Sequence, residues 1–162
     1  EATRAGMSCR YPPIGFRSIG PNRVNLYAGS DYYRHANDER VCLAMVESIE
    51  TIPHLEEMAQ APGIDGFYIG PADLAISMGG DPTKYREIKE HNEATQKVLD
   101  VAGAHGLVAG IHCRSPEEVN DRFRQGFMIC PAAADASLMA ISAKAAVEKI
   151  RKPETEGAKP FY

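Results

Sequence analysis

Two carboxylates stand where parallel α/β proteins bind their ligands. Glu47 directly follows the apolar run Cys42-Leu43-Ala44-Met45-Val46, and Asp73 follows Phe67-Tyr68-Ile69 by way of Gly70-Pro71-Ala72. In such folds ligands lie outside the carboxyl ends of the strands. A carboxylate there is poorly solvated unless it pairs with Arg or Lys or holds a cation. Neighbouring strands lie about 4.8 Å apart, so two such side chains can converge on one ion. Oxygen-only ligation suits Mg2+, Mn2+ or Co2+, with positions left for water and substrate. The alternative for each carboxylate is an ion pair with a nearby arginine, or a helix cap. Gly70 and Pro71 turn straight off a strand and aim successive N–H groups at its end, a seat for an anion. Without a ligand the same segment is a tight strand-to-helix turn.

Other candidates carry less. His112 ends the run Val108-Ala109-Gly110-Ile111 and could face the same mouth, as a hydrogen-bonded neighbour of the site rather than a base. Arg17, in the loop Ile14 to Gly20, either meets a substrate carboxylate or pins the loop to an acidic neighbour. His35, His54, His91 and His105 read as surface residues, and Tyr32 and Tyr33 as packing in a linking helix. Cys113 follows His112 without the surroundings of a thiol nucleophile, and no strand end offers a lysine for a Schiff base.

The elements that must position these residues follow from the apolar pattern. Four runs, Val41 to Val46, Gly66 to Ile69, Leu107 to Ile111 and Phe127 to Cys130, do not alternate with polar residues. They read as parallel strands covered on both faces. Helices are expected over Glu50 to Gln60, Lys84 to His105, Pro116 to Gln125 and Ser137 to Arg151. Ser115, Pro116 and Glu118 form a capping-box start for the third. Residues 1 to 10 read as the end of a helix, Tyr11 to Gly15 as extended, and Ser30 to Ala36 as a short helix. The βα alternation admits a doubly wound sheet or a (β/α)8 barrel, of which four strands are half. The domain spans 1–151, and 152–162 is an arm or a disordered tail. The chain starts at Glu1 rather than Met, so it is expected to be part of a longer protein.

Eighteen basic and 22 acidic residues give a net charge of −4, which excludes a polybasic nucleic-acid binder. No apolar run approaches the roughly 20 residues that span a bilayer. Four cysteines without CxxC spacing fit reduced, mostly buried thiols in a cytoplasmic protein.

Tyr11-Pro12-Pro13-Ile14-Gly15-Phe16-Arg17-Ser18, Ala36-Asn37-Asp38, Val46-Glu47 and Ile69-Gly70-Pro71-Ala72-Asp73-Leu74 occur in the order found in the HpcH/HpaI aldolases, which the sequence resembles from near Arg10 to about Asp135. The spacing of 26 positions from Glu47 to Asp73 matches the family's interval. The resemblance implies a class II, metal-dependent pyruvate aldolase on a TIM-type (β/α)8 barrel, this chain supplying strands five to eight. It implies that Glu47 and Asp73 bind the divalent ion, and that the Ala72 and Asp73 amides, in the Gly70-Pro71 turn, hold the pyruvate carboxylate. The implied reaction is aldol cleavage of a 4-hydroxy-2-oxo acid to pyruvate and an aldehyde. The family's catalytic His and pyruvate-contacting Arg belong to earlier strands and have no match here, so the catalytic residues are unknown. Cys130-Pro131-Ala132-Ala133-Ala134-Asp135 departs from the family pattern, and Asp135 receives no role. Two other readings remain, a CoA-ester lyase of the citrate lyase beta-chain type and a non-catalytic half-barrel. Either half-barrel form is expected to be a homo-oligomer or to need the missing half.

Overall fold

The computed structural model describes residues 1–20 and 22–150. The chain divides into two units, Glu1–Ala132 and Ala133–Tyr162. The first is built on a parallel sheet of three four-residue strands, β1 (Leu43–Val46), β2 (Gly66–Ile69) and β3 (Val108–Ile111), in the order β1-β2-β3. Val46 pairs with Ile69 and Ile69 with Ile111, so all three strands end level. The central strand β2 is almost wholly buried, whereas β1 pairs with β2 alone among the described residues and leaves Met45 half exposed.

The fourth expected strand does not form. Phe127 to Cys130 runs beside β3 and makes one parallel bridge, Gly110 to Ile129. Met128 N–H donates to the Ala109 carbonyl (2.8 Å), and Ile111 N–H donates to Ile129 (2.9 Å). Pro131 then accepts a bond from Cys113 N–H but has none to give, and the ladder stops.

Helix α1 (Ala2–Ser8) opens the chain. Two single-turn helices follow, α2 (Asn25–Ala28) and α3 (Ala36–Glu39), with a 3-10 turn at Tyr32–Arg34 where one continuous helix was expected. Tyr32 is buried there and Tyr33 is not. This N-terminal stretch is tied to the sheet by polar clasps. Arg10 pairs with Asp65 at 2.8 Å, and Asp65 also accepts the Cys42 N–H at 2.6 Å. The Asn37 side chain bonds both the N–H and the carbonyl of Tyr11.

After β1 the chain turns through a 3-10 segment, Ile49–His54, before α4 (Leu55–Ala59). Pro53 lies inside this segment, and in an α-helix its ring would clash with the carbonyl four residues back. Seven-residue α5 (Pro71–Ser77) begins immediately after β2 and went unread in the sequence because a Gly-Pro turn hides it. The long helix α6 (Lys89–Ala104) starts five residues later than expected. The Asp81 carboxylate accepts from the Thr83 N–H and hydroxyl and holds a separate turn ahead of it. Helix α7 (Pro116–Gln125) has the expected bounds, Ser115 capping the Glu118 N–H at 3.2 Å. Gly126 ends it at φ 107°, a left-handed conformation that favours glycine.

Val46, Phe67, Ile69 and Ile111 from the strands meet Leu55, Leu74, Ala94, Val98 and Ala102 from the helices in one core. Burying the larger of these stabilises by about 1.5–3 kcal/mol each. Helix α8 (Asp135–Glu148) belongs to the second unit; Arg151 and the expected tail lie outside the described residues. Among the described residues no helix is long and apolar enough to cross a membrane. All four cysteines are free, but only Cys113 is buried. Burial pushes its thiol up to about 12, consistent with an inert core residue.

Candidate functional site

Because β1, β2 and β3 end level, the residues just beyond them stand side by side: Glu47, Gly70 and His112. Gly70 N–H donates to Val46 (3.1 Å) and His112 N–H to Ile69 (3.1 Å), which fixes these three backbones at one height. Pro71 occupies the first position of α5, where its missing N–H costs nothing, and Asp73 projects from the first helical turn. Met45, Glu47, Tyr68, Gly70, Pro71, Ala72, Asp73, His112 and Arg114 line a cleft of about 400 Å³.

Within it the two carboxylates flank a gap that exists because residue 70 is glycine. A methyl group on Gly70 would sit 3.3 Å from Glu47 Oε2 and 3.7 Å from Asp73 Oδ2. Neither carboxylate has an ion-pair partner among the described residues. Contrary to the expected poor solvation, both are exposed, so neither is forced to find a cation for burial's sake. Their proximity without a positive partner is the relevant fact. The donor set, two hard oxygens about one gap, fits Mg2+ or Mn2+ carrying several waters. Among the described residues no group of three or more His, Cys, Asp or Glu gathers that could ligate a metal.

The amides of Ala72 and Asp73 have no acceptor among the described residues. Leu74 N–H is the first of the helix to be used, bonding Gly70 at 2.9 Å. His112 is exposed and its Nδ1 lies 3.3 Å from the Tyr68 hydroxyl. Partial burial raises the Tyr68 pKa, so the phenol stays protonated. Arg17 is elsewhere: its guanidinium lies 4.8 Å over the Tyr11 ring and does not line the cleft.

Two residues near the site escaped the sequence reading. Arg114 lines the cleft, its guanidinium 5.1 Å over the Tyr85 ring and its Nη2 donating to the Pro82 carbonyl (2.8 Å). His91, expected at the surface, is fully buried on α6 with Nε2 3.0 Å from the Pro71 carbonyl oxygen. Burial lowers its pKa and keeps it neutral. The helical period did carry a signal for His91, since Ala94, Thr95, Val98, Val101 and Ala102 share its buried face.

The HpcH/HpaI aldolase/citrate lyase family model matches residues 1–142. The chain belongs to this family. It is 34% identical over 151 residues to the hydroxypyruvate/pyruvate aldolase of Rhizorhabdus wittichii, covering 93% of this chain and 60% of that protein. An HpcH/HpaI aldolase/citrate lyase family protein from Burkholderia cenocepacia J2315 superposes with a TM-score of 0.78 at 26% identity, over 93% of this chain and 60% of that one. A citrate lyase beta subunit from M. tuberculosis, solved with oxaloacetate and magnesium, superposes less closely. Its TM-score is 0.52 at 20% identity, over 65% of this chain and 52% of that one. The chain thus spans about 60% of the length of its aldolase relative.

Proposed function

We propose that this chain carries the metal- and pyruvate-binding part of a class II aldolase that cleaves or forms a 4-hydroxy-2-oxo acid, giving pyruvate and an aldehyde. The observation that carries this reading is the pair of carboxylates, Glu47 and Asp73, that flank the gap over Gly70 with no ion-pair partner among the described residues. Glu47 and Asp73 hold the divalent ion, Mg2+, Mn2+ or Co2+. Bound there, such an ion supplies Lewis acidity that stabilises the charge developing on a 2-oxo acid when the neighbouring C–C bond breaks. The free amides of Ala72 and Asp73 receive the substrate carboxylate and set its orientation. His112 and Tyr68 line the mouth of the cleft as a hydrogen-bonded pair.

The fold supports a TIM-type barrel of which this chain supplies the later strands, its three-stranded parallel sheet continuing through the Phe127–Cys130 edge. The base that moves the proton is proposed to lie on the earlier strands. The free edge of β1 beside the exposed Met45 favours an oligomer, or a complex with those strands. Light scattering on the purified chain tests this; a stable monomer of 17.7 kDa refutes it.

The function is tested by titrating Mn2+ and then pyruvate into the wild type and the Glu47→Gln and Asp73→Asn variants. Wild type binds pyruvate only with the metal, and both variants lose metal and pyruvate together. Acetyl-CoA binding in place of pyruvate would favour the CoA-ester lyase, and equal metal binding in all three proteins would remove the aldolase mechanism.

A further inference from the structure

Beneath the candidate site lies a buried, uncharged histidine for which the proposed chemistry has no use. His91 is the third residue of α6, with no exposed surface. Its Nε2 meets the Pro71 carbonyl oxygen at 3.0 Å. A carbonyl only accepts, so Nε2 carries the hydrogen. Nδ1 then faces the hydroxyl of buried Thr95 at 3.5 Å, and the ring packs against Tyr85 with centroids 5.2 Å apart. Two neighbours on the same helix and the turn before it therefore hold the imidazole in place.

The bond matters because of what shares its peptide. Pro71 C=O and Ala72 N–H belong to one planar, trans unit, so they point in opposite directions. Pro71 is the first residue of α5, so the helix sets the direction of its carbonyl. The His91 bond fixes that first peptide against the core with the Ala72 N–H on the side facing away; Ala72 itself lines the cleft. A donor on the carbonyl also polarises the amide and strengthens its N–H as a donor. Pro71 has no N–H of its own by which the core could hold it.

We propose that His91 is a positioning residue, which aims and polarises the Ala72 N–H for the carboxylate of a 2-oxo acid through the Pro71–Ala72 peptide. The inference rests on the aldolase reading for its ligand, but not for the geometry of the turn.

The test compares His91→Leu, His91→Gln, which returns an N–H donor, and the core variant Val98→Ala. Mn2+ affinity, pyruvate affinity with Mn2+ saturating, and the Ala72 amide resonance by 15N–1H NMR are measured for each. In His91→Leu pyruvate affinity falls about tenfold, the worth of one hydrogen bond to a charged group. Mn2+ affinity stays within about twofold, since His91 bonds the Pro71 carbonyl and neither the Glu47 nor the Asp73 carboxylate is altered. The Ala72 resonance shifts upfield as its amide loses polarisation. His91→Gln recovers most of both, and Val98→Ala moves neither. Unchanged pyruvate affinity in His91→Leu, or an equal loss in Val98→Ala, overturns the proposal. Should wild type bind neither Mn2+ nor pyruvate, the aldolase reading falls, and the NMR arm decides for His91 alone. An Ala72 resonance that does not move in His91→Leu then overturns it too.

Discussion

Glu118 and the pair Glu47 and Asp73 are carboxylates treated in opposite ways by one small protein. Glu118 is buried at the start of α7, and its oxygens are saturated. The Tyr85 hydroxyl reaches both at 2.8 Å, the Arg114 N–H donates at 3.1 Å, and the Arg122 guanidinium lies at 3.4 Å. Glu47 and Asp73 are exposed, flank one gap and have no ion-pair partner among the described residues. Where this fold uses a carboxylate for structure, it surrounds the group with donors from α7, the turn before α6 and the loop before α7. Where two exposed carboxylates flank one space without donors, the space is left open to a cation. Completeness of partners thus separates scaffold from site more sharply than burial alone.

The largest effect should come from the saturated side. Glu118→Leu leaves the Arg122 charge buried without its carboxylate, Gln125 remaining as its neutral acceptor, and leaves the Tyr85 hydroxyl without an acceptor. Removing one member of a buried pair costs about 3–5 kcal/mol, and urea unfolding of the variant should show that loss. Glu47→Gln should instead stay within about 0.5 kcal/mol of wild type without metal. Comparable losses in the two variants would erase the distinction between the regions. The next effect depends on ligand. At a free Mn2+ concentration one hundred times its dissociation constant, the wild type should gain about 2.7 kcal/mol. Glu47→Gln should gain none under the same conditions, as read from unfolding curves with and without metal.

The sequence made one of these regions far more legible than the other. Glu47 and Asp73 could be found because each directly follows an apolar strand or the short turn after it, and strand ends are where α/β folds bind. The Ser115 cap was equally readable, because it depends on a local three-residue spacing. The Glu118 network was not. Its acceptors and donors come from residues 33 positions apart in the case of Tyr85, and no local pattern encodes that meeting. Glu118 was read as the return half of a capping box, but its carboxylate takes the Arg114 N–H instead. His91 was missed for a related reason: its polar type outweighed its place on the buried stripe of α6. The fourth strand failed where a local signal, Pro131, was present but weighed less than the apolar run before it. Arg17, for which the sequence offered a substrate carboxylate or a structural role in its loop, lies over the Tyr11 ring.

A smaller effect bears on the gap itself. Gly70 has φ −90° and ψ 88°, which alanine also adopts, so Gly70→Ala brings no backbone strain. Its methyl would meet Glu47 Cβ at 3.2 Å and both carboxylates within 4 Å. The exposed Glu47 side chain can give way, so thermal stability should hardly change. Metal affinity should fall about tenfold, as displaced first ligands lose their common point. Isothermal titration of Mn2+ into Gly70→Ala checks this; wild-type affinity would mean that the ion, if bound, does not sit between these oxygens.

The smallest effect crosses from one region to the other, through His91. Its pKa lies below the ordinary 6.5 chiefly because burial penalises the imidazolium, with Arg122 adding to the penalty while Glu118 and the Pro71 carbonyl partly offset it. The unfolded chain therefore binds a proton on this side chain at a pH where the folded one does not. Stability contributed by the neutral ring is complete above pH 6.5 and declines as pH falls below it toward the folded value. Other acidic groups also respond to pH, so the informative quantity is a difference. Between about pH 7.5 and pH 5.5 the urea midpoint of wild type should drop further than that of His91→Gln, which keeps the donor to Pro71 but cannot titrate. Identical drops would mean that the folded protein protonates His91 as easily as water does, and that the ring is not held dry between Tyr85, Thr95 and the Pro71 carbonyl.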